Sequence, residues 1–255
     1  MNKIAFISLN TFRETVRDKV LYNLVLFALV MIASSYVLGQ ISVYQEVKII
    51  KDLGLASIAA FGSVIAIFIG IGLVSKEMDK RTLYSLLPKP ISRVHFILGK
   101  YGGLCLTLAV NVTIMTVGLY ALLFAMTRSF EPALLKAIYL LYFEMALLTA
   151  LALLFSTFTS SILSAVFTGF FYVVGHFSAE LKHLDSVVES GFLPQLSQIV
   201  YYVVPNLRNF DVKSRVVSGD PVPLTMLGYS TAYGVTYIAI LLIIATVVFK
   251  RRNLK

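Results

Sequence analysis

The chain has 255 residues, of which 58% are hydrophobic and 14% charged, with a formal net charge of +9. Soluble domains carry about 25% charged residues, so this composition excludes an ordinary globular enzyme and points to a membrane protein with several crossings. The basic residues lie beside apolar runs and not along one broad stripe, which excludes nucleic acid as a partner, and the single cysteine, Cys105, can form no internal disulfide.

Residues 2–19 predict an amphipathic helix. Ala5, Leu9, Phe12, Val16 and Val20 recur at helical spacing, while Arg13, Glu14, Arg17 and Asp18 take the other face. Such a helix lies in the membrane interface, with lipid as its partner and its basic side towards anionic headgroups. It lacks the apolar core of a cleavable signal peptide, so the first span is expected to act as its own insertion signal.

A crossing helix needs roughly 20 apolar residues to traverse about 30 Å of hydrocarbon. Uncharged runs place spans at about 20–42, 53–75, 93–126, 132–156, 161–179 and 224–249. The run over 145–179 is too long for one crossing, and its interruption "STFTSS", residues 156–161, reads as a tight turn. The expected fold class is an all-α membrane protein with six transmembrane helices in a single domain over 1–255. Six spans leave both termini on one side. That side holds 14 of the 22 Lys and Arg residues, which makes the termini cytoplasmic.

The most charged stretch lies between the second and third spans. Residues 77–87 can form three helical turns, with Leu83, Leu86 and Leu87 as a small apolar face and Lys80 and Arg81 mostly elsewhere. Pro88 and Pro90 stop that helix, and Ser92 is placed to cap the next one. An apolar face with a charged rim suits a partner's groove. Leucines 83, 86 and 87 would fill that groove, while Asp79, Arg81, Lys89 and Arg93 would set its orientation. On the opposite side, residues 180–220 mix helical patches with Gly191, Pro194, Pro205, Gly219, Pro221 and Pro223. They read as an outer cap, and a place for a periplasmic or extracellular partner.

Glu144 falls near the middle of the fourth span. A charge there costs on the order of 3 kcal/mol even on a mild insertion scale, so it should face protein or water. It is expected to hydrogen-bond Asn111 or a tyrosine of a neighbouring span, or to contact whatever travels through the protein. Gly70 and Gly72 are expected to allow close helix packing. Other chemistry is missing. "VHFILGKY" has Val94 where a phosphate loop needs its first glycine and Tyr101 where it needs Ser or Thr. His95, His176 and His183 lack metal-ligand spacing, so no metal is expected; His176 and His183 are placed at the outer interface. No nucleophile has a base at recognisable spacing, so no catalytic residue is assigned.

"KEMDKRTLYSLLPKPISRVHFILGKYGG" resembles the loop after the second span of type-2 ABC exporter permeases. The recurring acidic residue, threonine, leucine pair, Lys-Pro, Ser-Arg and Gly-Lys correspond to Glu77, Thr82, Leu86–Leu87, Lys89–Pro90, Ser92–Arg93 and Gly99–Lys100. "NTFRETVRDKVLYNLVLF" is similar to that family's interfacial helix and start of span one, and "VVPNLRNFDVKSRVVSG" to its outer loop before the last span. The likeness runs over nearly the whole chain and is closest to the nitrous-oxide-reductase maturation and gliding-motility branch. Arg81 departs from it, since many members have glycine there. The resemblance implies a bacterial inner-membrane exporter subunit that is no enzyme by itself. Residues 77–87 would be a coupling helix gripped by a separate ABC ATPase. Two such subunits, which carry the ATP and Mg, would work with two copies of this chain as a homodimer. Thr157 and Ser160 in the turn would make a second, shorter contact.

The residues alone leave two rivals. One is a secondary transporter driven by an ion gradient through Glu144. The other is a non-transporting scaffold acting through residues 180–220.

Overall fold

Two helices of unusual length organise the chain. The computed structural model describes residues 3–41, 45–79, 92–178 and 203–251. Helix α1 covers Lys3–Val16, and α2 covers Lys19–Gln40 with Asp18 as its N-cap, accepting from the Val20 amide at 3.1 Å. The two long ones follow: α3, Glu46–Asp79, has 34 residues and α4, Arg93–Thr127, has 35. Then come α5 (Pro132–Ser156), α6 (Ser161–His176), a 3-10 turn (Leu207–Phe210), α7 (Lys213–Ser218) and α8 (Leu224–Arg251). The described residues contain no strand; the chain is an all-helical, multi-pass membrane protein.

Among the described residues, five helices are long and apolar enough to cross a membrane: α2, α3, α4, α5 and α8. The fifth expected span, about 161–179, is a shorter helix. Its 16 residues rise about 24 Å, less than the roughly 30 Å of hydrocarbon. The chain after it returns to fill the gap. A side chain at Gly175 would meet the Pro205 carbonyl at 2.8 Å and Leu207 Cγ at 2.8 Å, so only hydrogen fits beneath this part of the cap. Val204, Leu207, Phe210, Val212 and Val216 are all buried there. Irregular backbone is tolerated at membrane depth when protein encloses it. The cap is also stitched to its neighbours. The Asn206 amide donates to Tyr233 Oη at 2.8 Å, Ser230 Oγ to the Asn209 carbonyl at 2.7 Å, and Lys136 Nζ to the Val222 carbonyl at 2.8 Å. The expected cap residues 180–202 lie outside the described residues.

Helix α3 begins at Glu46, seven residues before the uncharged run expected as span two. The helix thus carries the charges of Glu46, Lys48, Lys51 and Asp52 ahead of its apolar run. Lys51 Nζ meets Glu131 Oε1 at 2.5 Å and so ties α3 to the residue before α5.

Helix α5 sits at the centre, buried on most of its length and packed by α3, α4, α6 and α8. Lipid tails are as apolar as leucine, so such contacts rest on close van der Waals fit and not on the hydrophobic effect. At Gly70 a Cβ would come within 2.5 Å of Ala152 Cβ, which shows how closely α3 and α5 approach.

Helix α1 lies along α4. Its predicted apolar stripe does not face the protein: Ala5, Leu9 and Val20 are exposed, and Phe12 and Val16 half-buried. The packed side carries Thr11 and Thr15, both buried.

Candidate functional site

Glu144 and the end of α6 meet at one level because of how the hairpin is built. Glu144 lies twelve residues before Ser156, the last of α5, and His176 fifteen after Ser161, the first of α6. At 1.5 Å per residue both stand on the order of 20 Å above the connecting turn. Glu144 is 2% exposed, and its Oε1 lies 3.5 Å from His176 Nε2. Its Oε2 is buried with no hydrogen-bond partner among the described residues. The other ring nitrogen, Nδ1, donates to the Tyr172 carbonyl at 3.1 Å, and the Tyr172 ring rests 4.7 Å from the imidazole. Ser63 of α3 stands beside Tyr172 with its hydroxyl buried. Above lies the cap, where Asp211 and Lys213 pair at 3.7 Å.

The expected partner of Glu144 was Asn111 or a tyrosine. Asn111 is buried, but its Nδ2 donates to the Thr107 carbonyl of its own helix at 2.9 Å. The tyrosines are spent elsewhere: Tyr142 Oη donates to the Cys105 carbonyl at 3.2 Å and Tyr101 Oη to the Ala146 carbonyl at 3.3 Å, joining α4 to α5. His176, expected at the outer interface, lies deeper because α6 is short. No group of three or more potential metal ligands occurs among the described residues.

The opposite end holds the expected partner contacts. Helix α3 continues unbroken through Glu77 and ends at Asp79, so the first residues of the expected coupling helix extend span two. Arg81, Thr82, Leu83, Leu86, Leu87 and Lys89 lie outside the described residues. Ser92 is the N-cap of α4, its Oγ accepting from the His95 amide at 3.3 Å. Arg93, expected to orient a partner, is held within the chain. It donates to the carbonyls of Phe249 at 2.7 Å and Lys250 at 2.8 Å, and lies over the Phe249 ring at 5.7 Å. A guanidinium there satisfies orphan carbonyls at the last turn of α8 and complements its dipole. Of the two turn residues, Thr157 is buried and donates to the Leu154 carbonyl at 2.6 Å. Ser160 is exposed and caps α6, accepting from the Leu163 amide at 3.5 Å.

One contact escaped the sequence reading. Gly99 and Gly103, four residues apart, form the seat of α1. A Cβ on Gly99 would meet Ile7 Cβ at 2.6 Å, and one on Gly103 the Ser8 carbonyl and Thr11 Cβ at 2.5 Å. Ser8 Oγ donates to the Gly99 carbonyl at 2.9 Å. Between them, Lys100 is 3% exposed and reaches Glu14 Oε2 at 3.7 Å. The glycine spacing was the available signal, since small residues four apart let helix backbones touch.

The profile of the ABC-2 family of transporter proteins matches residues 5–254 of this chain. No curated protein sequence matches it.

Proposed function

Because this chain belongs to the ABC-2 transporter family, we propose that it is the permease half of an ATP-driven exporter in the bacterial inner membrane, with both termini cytoplasmic and six crossings. The family's chains are transport subunits of the membrane, not catalytic enzymes, and they imply an ABC ATPase as partner. In our reading two copies of that ATPase, carrying ATP and Mg, grip two copies of this chain. The grip is on residues 77–87, where Leu83, Leu86 and Leu87 seat in a groove and Asp79, Arg81 and Lys89 orient it. Ser160 offers a second contact. Glu144 lies along the path, and the outer cap is the surface for an extracytoplasmic partner.

The observation that supports this reading best is the length of the helices on either side of the handle. At 34 and 35 residues, α3 and α4 rise about 50 Å each, roughly 20 Å more than the hydrocarbon is thick. A push on the segment between them is carried along two unbroken rods. Helix α4 takes α1 with it through the Gly99–Gly103 seat, and α8 through Arg93. The partner therefore needs to touch only a short handle to move four helices.

Replacing Leu83 and Leu86 with aspartate tests the proposal. The ATPase should then fail to co-purify with the permease, and transport should fall to background. Retention of both would remove the handle from the mechanism.

A further inference from the structure

We propose that Glu144 and His176 together bind a single proton, and that this proton fastens the outer end of α6 to the middle of α5. The inference stands on the geometry of the pair and holds whichever engine drives the protein.

A carbonyl oxygen has no hydrogen to give. The 3.1 Å contact between His176 Nδ1 and the Tyr172 carbonyl therefore requires the hydrogen on Nδ1. In a neutral ring that choice leaves Nε2 bare, and Nε2 is the atom facing Glu144 Oε1 at 3.5 Å. A carboxylate opposite a bare ring nitrogen sets two lone pairs against each other. One proton between them removes the conflict. Either the carboxylic acid donates to Nε2, or the imidazolium donates to Oε1. The two forms share one proton and titrate as a unit. Burial sharpens the need, because Glu144 is 2% exposed and its Oε2 gains no hydrogen bond among the described residues. A buried carboxylate whose oxygens lack hydrogen-bond donors is the costliest state open to the site.

Among the described residues no surrounding cation bonds Glu144 directly. Helix α6 adds Tyr172, whose ring lies 4.7 Å from the imidazole, and α3 adds the hydroxyl of Ser63. From the cap, Asp211 and Lys213 act on both members of the pair and Arg208 acts on His176. Asp211 and Lys213 are bound to each other at 3.7 Å and act on the pair with opposite sign. Aromatic contacts of Phe155 with Phe167 and Phe171 already hold the inner parts of α5 and α6 together, and the shared proton adds a polar link at the outer end of α6. Its loss would reach the cap directly, because Gly175, against which Pro205 and Leu207 are seated, is the neighbour of His176.

The test uses the whole chain in lipid nanodiscs, with nitrogen-15 in its histidines, examined by NMR and infrared spectroscopy across pH. At neutral pH one proton per chain is expected. It should show as a carboxylic acid carbonyl band that E144Q abolishes, or as an imidazolium signal from His176 that H176Q abolishes. His176 Nδ1 should be protonated in either case. A variant carrying H95Q and H183Q leaves His176 as the sole histidine, so the assignment survives if H176Q does not fold. The Nε2 shift in that variant also tells a ring accepting a hydrogen bond from one facing a carboxylate, so it stands in for E144Q. A neutral ring beside an ionised carboxylate, or an Nδ1 without hydrogen, would overturn the proposal.

Discussion

Arg93 and Phe249 join the first residue of α4 to the last turn of α8: the guanidinium donates to the Phe249 carbonyl at 2.7 Å and covers its ring at 5.7 Å. Phe96 adds a stacked contact to the same ring at 5.8 Å between centroids. The handle's exit is thereby fixed to the terminal helix.

Arg93→Ala should therefore act on coupling more than on partner capture. It removes two charge-assisted hydrogen bonds, so about 2 kcal/mol of stability should go. Transport should fall sharply while the ATPase still co-purifies. Arg93→Lys, a point donor without the fork, should lie between. Loss of co-purification in Arg93→Ala would mean that the side chain serves the partner directly.

The seat of α1 predicts a contrast between two glycines. Gly103→Leu drives a side chain into the Ser8 carbonyl and Thr11, whereas nothing lies within 4 Å of a Cβ on Gly169. Overpacking of this kind costs about 1–3 kcal/mol. Thermal unfolding in nanodiscs should show a lowered Tm for Gly103→Leu and little change for Gly169→Leu. Equal behaviour of the two would mean that α1 is not held at this seat.

The short α6 makes topology the next question. In a Cys105→Ala background, Ser160→Cys in the turn before α6 and Ser218→Cys at the end of α7 in the cap are both at exposed positions. A membrane-impermeant maleimide should label Ser218→Cys in intact cells and Ser160→Cys only in inverted vesicles. Labelling of both from one side would show that α6 and the cap do not together complete a crossing.

The all-helical membrane class was legible because composition and long uncharged runs speak directly to the bilayer as solvent, and the family through the likeness of the stretch after the second span. Local signals also carry their own physics: Ser92 follows two prolines and precedes an apolar run, and it caps α4. What was hidden depends on neighbours. The uncharged run that marks span two starts at residue 53, but the helix starts at Glu46, because a helix can carry charges beyond its apolar run. The stripe of Ala5, Leu9 and Val20 names an apolar face that the protein leaves uncovered, since in lipid such a face gains nothing by turning inward. Small and hydroxyl residues pack instead, at Thr11, Gly99 and Gly103. The partner of Glu144 was hidden for a third reason. His176 meets it only because α6 stops where it does and the cap fills the space above.

That pair supports a double-mutant cycle in which the single changes cost more than the double. Glu144→Leu leaves His176 Nε2 facing an apolar wall, and an unsatisfied buried polar group costs about 1–3 kcal/mol. His176→Phe leaves Glu144 without its partner at 3.5 Å, and an uncompensated buried acid costs at least as much. Changing both to apolar residues of similar bulk removes the conflict, and such exchanges of buried polar pairs are often neutral. The two single costs add while the double change is near neutral, so the coupling free energy should fall at about 2–6 kcal/mol, read from unfolding of the four proteins in one lipid. Additive losses would mean that the two side chains do not sense each other. The same four proteins also separate structure from transport: if the apolar double variant regains stability but not transport, the pair serves the path as well as the fold, whereas recovery of both confines it to holding α6 against α5.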